Sequence, residues 1–82
     1  MAEKIYIERC IRQYHQHTRT RKNGDLVVSL GHGLYDLFSG DGWKNQSRYR
    51  IVKLRDSKEK QLIQVGGINL SREYRNELLL ES

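Results

Sequence analysis

The chain of 82 residues contains no proline, one cysteine, one tryptophan and one phenylalanine. Each scarcity removes an option. Cys10 has no second cysteine to join, so an intrachain disulfide is excluded and a reducing compartment is favoured. No apolar run reaches the ~18 residues of a membrane span, and the start of the chain has no apolar run of signal-peptide length. The expected location is therefore the cytoplasm, with no membrane partner. There is also no repeat, no low-complexity tract and no linker long enough to split the chain. Residues 1–82 read as one domain.

Catalytic and metal-binding patterns are missing as well. No Ser-His-Asp or Cys-His arrangement can be argued from spacing, so no enzyme is expected. His15 and His17 form a His-x-His pair, but the second Cys or His pair that a zinc site needs is absent. Gly31-His32-Gly33 and Gly40-Asp41-Gly42 lack the spacing of a phosphate loop. The reading predicts no metal and no cofactor.

Acidic residues are few. Fifteen Lys and Arg stand against ten Asp and Glu, for a net charge of +5. The excess is clustered. Residues 9–24 carry five cations and no acid, and residues 44–60 carry seven cations against two acids. Residues 25–43 hold only Asp25, Asp36 and Asp41. Clustered cations of this kind are the footprint of a polyanion binder. They also keep exposed strands soluble.

What is present is periodicity. Ile7, Cys10, Ile11 and Tyr14 fall on one helical face, predicting a helix over Ile5–Gln16 within an N-terminal extension 1–17. Residues 17–22 and 25–30 flank Asn23-Gly24, the pair best suited to a two-residue type I′ turn. Leu34, Leu37 and Phe38 are spaced for a short helix. Tyr49 to Leu54 alternates, Gln61 to Val65 makes the return strand, and Asp56–Lys60 is the polar turn of this second hairpin. After Gly66-Gly67, Leu70, Tyr74 and Leu78 predict a C-terminal helix within 68–82, with Asn69 or Ser71 as N-cap. Its Glu73, Glu77 and Glu81 suit packing better than nucleic-acid contact. The expected class is α+β: a small, mostly antiparallel β domain of two hairpins over 18–65, joined by a short helix and flanked by short helices.

This order over 18–65 resembles the swapped-hairpin DNA-binding family of AbrB- and MazE-type regulators and antitoxins. The resemblance rests on Thr18-Arg19-Thr20-Arg21-Lys22-Asn23-Gly24-Asp25-Leu26-Val27-Val28-Ser29-Leu30, with the two arms of the second hairpin. It covers roughly 48 residues. The proline with which the family usually closes its second arm is absent. The resemblance implies an intertwined homodimer sharing one barrel-like core. It also implies that Arg19, Arg21, Lys22 and Asn23 face DNA.

The residues themselves point to the same partner. The first hairpin offers Arg19, Arg21, Lys22 and Asn23 to phosphates and base edges. Arg48, Arg50 and Lys53 form a second candidate row. Trp43 and Tyr49 are candidates for stacking on bases or for an interface. The expected function is a small homodimeric duplex-DNA-binding protein acting in transcription regulation. The alternatives are a viral or mobile-element protein that inhibits or adapts by docking on an acidic protein surface, and an RNA-binding module.

Overall fold

The computed structural model describes Arg9 and residues 17–56 and 58–81. The predicted N-terminal helix therefore lies outside the described residues, Arg9 apart, as do Cys10 and His15.

Five antiparallel strands follow one another as a meander: β1 (Thr18–Thr20), β2 (Leu26–Gly31), β3 (Leu34–Ser39), β4 (Asn45–Lys53) and β5 (Lys60–Gly67). One helix, α1 (Arg72–Glu81), ends the described chain. The sheet is open, with β1 and β5 as its two edges.

The short helix predicted at Leu34–Phe38 is instead strand β3. Its apolar spacing came from two-sided burial. Leu37 pairs in register with Val27 and points to the face covered by α1. Phe38 pairs with Leu26 on the other face. A central strand covered on both sides loses the alternation by which strands are recognised.

The first hairpin also differs in detail. Arg21 donates its amide to Asp25 O at 2.7 Å, and Gly24 donates to Arg21 O at 2.9 Å. The loop therefore spans three residues, and only Gly24 takes positive φ (91°). This is the arrangement of a turn followed by a glycine bulge. Asn23 favours it, because its Oδ1 accepts from the Asp25 backbone amide at 3.1 Å. Consecutive positive-φ residues, expected at Asn23-Gly24, occur instead at Gly31 (93°), His32 (54°) and Gly33 (76°), joining β2 to β3.

Two apolar clusters sandwich the sheet. On the α1 side, Val27, Leu37 and Tyr49 are buried with Leu78, supported by Tyr35, Ile51, Leu62, Leu70 and Tyr74. On the other side, Leu26, Val28 and Phe38 are buried, supported by Leu30 and Trp43. Burying side chains of this size contributes roughly 1.5–3 kcal/mol each.

The helix is placed by the link that precedes it. Gln64 Nε2 donates to the carbonyls of Gly66 (2.9 Å) and Ile68 (3.0 Å), and its Oε1 accepts from Leu70 N at 3.1 Å. Ser71 then caps α1, its Oγ accepting from Tyr74 N at 3.1 Å. Of the two predicted N-caps, Asn69 and Ser71, it is Ser71 that caps the helix.

Candidate nucleic-acid interface

A hydrogen bond ties a loop to a neighbouring element at each end of the sheet. At one end, Trp43 Nε1 donates to Gly24 O at 3.0 Å, fastening the link between β3 and β4 to the first turn. At the other end, Ile51 N donates to Gly33 O at 2.8 Å, placing the β2–β3 turn beside β4. The β4–β5 turn projects from this second end. Lys22 therefore sits at one end and Lys53 at the other. The nine residues of β4 separate them, about 26 Å at 3.3 Å per residue. The two predicted basic rows do not form one surface.

The first row is largely spent inside the molecule. Arg21, expected to face DNA, is turned toward α1, and its side chain is only 8% exposed. Its Nε donates to the Glu81 carboxylate at 2.8 Å and its Nη2 to Glu77 at 3.2 Å. Its guanidinium also lies 4.5 Å from the Tyr74 ring centroid. Burial alone lowers the Arg21 pKa, but the bonds to Glu81 and Glu77 outweigh it and hold the guanidinium above its ordinary value. Arg19 Nη1 donates to the backbone carbonyl of Glu81 at 3.1 Å. Asn23 shapes its own turn, with Nδ2 donating to Asp25 Oδ2 at 3.1 Å. Lys22 stays exposed at the tip.

Other candidates also prove structural. Arg48 grips Asp36 with two bonds, Nε to Oδ1 at 2.7 Å and Nη2 to Oδ2 at 3.0 Å. Asp36 is 1% exposed, so this guanidinium compensates a buried carboxylate. Tyr49 is buried and stacks on Tyr35, with ring centroids 5.3 Å apart. Burial pushes its phenol pKa up. Trp43 rests against the Leu26–Val28–Phe38 cluster. The Tyr49 ring is closed to bases by its burial, while Trp43 is only partly buried.

The second end differs. Arg50 Nη1 donates to His32 O at 2.9 Å, which steadies the guanidinium beside the turn. Lys53 lies directly opposite Lys60 in the β4–β5 register. Arg55 and Lys58 follow in the turn, and all four of these side chains are exposed. Over residues 50–60, five cations (Arg50, Lys53, Arg55, Lys58, Lys60) face two acids (Asp56, Glu59), a net +3. Leu54 N bonds Glu59 O at 3.2 Å, so the hairpin backbone holds this cluster at its tip.

Lys58 and Lys60 were absent from the predicted site because 56–60 read as a plain polar turn, and Arg55 because it read as the end of the strand before it. Their signal was the alternation of cations around that turn. Comparison with protein-family models, with curated proteins and with solved structures returned no match to this chain. Among the described residues, no group of His, Cys, Asp and Glu is placed to hold a metal ion, and no helix is long and apolar enough to cross a membrane.

Proposed function

We propose that this protein binds duplex DNA through the tip of its β4–β5 hairpin and acts as a small transcription regulator. The observation that supports this most is the register pair Lys53↔Lys60. Like charges placed directly across a strand pair destabilise it. Keeping the β5 edge soluble accounts for a charged residue there, but it does not call for a run of cations through Lys53, Arg55, Lys58 and Lys60. A phosphate backbone does, because each neutralised phosphate releases counterions. Arg50 and Lys53 carry over from the candidate residues. Arg55, Lys58 and Lys60 join them, while Arg21 and Arg48 hold the fold together. Arg19 and Lys22, at the far end, are peripheral.

A two-stranded ribbon is narrow enough to enter the major groove, where arginine reads guanine edges. Arg55 is the residue of the tip suited to that contact. Fluorescence-anisotropy titration against duplex DNA, single-stranded DNA and RNA, at about 50 and 200 mM salt, tests the proposal. Duplex DNA should bind tightest, and its affinity should fall steeply with salt. Tighter binding to single-stranded RNA would reassign the tip to RNA. No binding to any nucleic acid at the lower salt would replace it with an acidic protein surface.

A further inference from the structure

α1 covers one face of the sheet, and the opposite face is closed just as tightly. Val28 and Phe38 are 0% exposed there, and Leu26 is 3% exposed. Asp36, which stands between Val28 and Arg48 in the register, is buried with them. The described residues that pack on this cluster are Leu30 and Trp43. Leu30 belongs to β2 itself, and Trp43 sits at one end of the sheet, bonded to the carbonyl of Gly24. Neither forms a layer. Among the described residues, the one α-helix lies on the other side of the sheet. A sheet buries a face only against a second layer. The burial is that of a single chain, so the missing layer belongs to this chain.

We propose that the N-terminal segment is this layer, with Ile7, Cys10, Ile11 and Tyr14 set against Val28 and Phe38. The segment leads directly into β1, which pairs with β2. As a helix over Ile5–Gln16 it spans about 18 Å at 1.5 Å per residue. Three strand spacings of about 4.8 Å carry it from β1 across to β4. Helical geometry turns each residue about 100° from the last, which gathers Ile7, Cys10, Ile11 and Tyr14 into an arc of about 100°. Arg9 lies about 150° from the middle of that arc. It has helical backbone and is exposed. With Arg9 toward water, the apolar stripe faces inward.

Arg12 falls about 150° from the stripe on its other side, so it too stands outward. The cations of residues 9–24 are then separated by layer, with Arg9 and Arg12 on the outer surface and Arg21 against α1. A domain closed from within one chain also needs no partner to complete its core. It is a helix–sheet–helix sandwich, in place of the barrel shared between two chains that the AbrB- and MazE-type resemblance implies.

Cys10 is the one thiol of the chain and Phe38 its one phenylalanine, so both sides of the contact can be read in the full chain. An aromatic disulfide reagent should label Cys10 in the native chain at least about tenfold more slowly than in chain unfolded by urea, because the thiol is uncovered only when the layer opens. Nuclear Overhauser contacts should join the Ile7 and Ile11 methyls to the Phe38 ring. Ile11→Gln should raise the native labelling rate, and Arg12→Gln, on the outer side, should leave it unchanged. Circular dichroism checks that both variants remain folded. A native rate within tenfold of the unfolded rate, no contact between those methyls and Phe38, or an Arg12→Gln effect as large as that of Ile11→Gln would overturn the proposal.

Discussion

Arg21 and Glu81 lie 60 positions apart in the chain, yet the Arg21 guanidinium meets the Glu81 carboxylate at 2.8 Å. This contact closes α1 onto the first hairpin and uses the most central cation of the first basic arm. The sequence excess of positive charge is therefore divided between two tasks. One part is neutralised within the fold, and the other is displayed at the β4–β5 tip.

Arg21→Ala should separate these tasks. It removes bonds to two carboxylates and the contact with Tyr74, and should lower unfolding free energy by about 2 kcal/mol. Duplex-DNA affinity at fixed salt should change less than twofold. Urea denaturation gives the first number, and anisotropy gives the second.

Arg48→Ala should be more damaging. Asp36 would keep a buried carboxylate with both bonds to Arg48 lost. Removing one partner of a buried pair costs about 3–5 kcal/mol. Thermal unfolding of Arg48→Ala, set beside the double variant Arg48→Ala, Asp36→Ala, checks the account. The double variant should recover part of the loss, since no uncompensated charge then remains.

Gly33→Ala should cost more than Gly24→Ala, although both positions have positive φ. A Cβ at Gly33 would lie 2.6 Å from Ile51 O, whereas one at Gly24 meets nothing within 4 Å. Left-handed backbone alone costs an alanine about 1–2 kcal/mol, and the clash at Gly33 adds to it. Denaturant midpoints of the two variants give the comparison.

Stability should fall in the alkaline range. Burial raises the phenol pKa of both Tyr49 and Tyr74, and the bond to Asp25 raises Tyr74 further. Above about pH 10, the ordinary tyrosine value, the unfolded chain loses these protons while the native chain keeps them. The unfolded state then binds fewer protons, so stability drops as pH rises. The stabilisation is complete below pH 10 and is lost as pH climbs through the raised native values. Chemical denaturation between pH 8 and about 11 should show this slope, and Tyr74→Phe should make it shallower.

How much of this was legible depends on the range of the interaction that decides each element. β2, the β4–β5 hairpin and α1 were readable because their periodicities are local, and the cap could be narrowed to Asn69 or Ser71 for the same reason. β3 was not, because Leu37 and Phe38 go to opposite faces that only the assembled sandwich covers. The first turn was misassigned because the Asn23 side chain, accepting from the Asp25 amide, favours a three-residue loop with Gly24 alone at positive φ. The fate of Arg21 depends on Glu77 and Glu81, 56 and 60 residues away. The i, i+4, i+8 spacing of Glu73, Glu77 and Glu81 did mark an acidic helix face. Its match to the basic arm was the available clue.

The central claim is that the β4–β5 tip carries the nucleic-acid contact, and the salt slope of binding measures it most directly. Anisotropy titrations of duplex DNA across a salt series should compare the parent with Lys53→Gln, Arg55→Gln, Lys58→Gln combined, and with Arg19→Gln, Lys22→Gln combined. Each lost phosphate contact reduces the slope of log affinity against log salt by about 0.9. The triple variant should lose about 2–3 units of slope and most of its affinity, while the double variant should stay near the parent. A triple variant that binds with the parent's slope, or a double variant that loses more, would contradict the assignment.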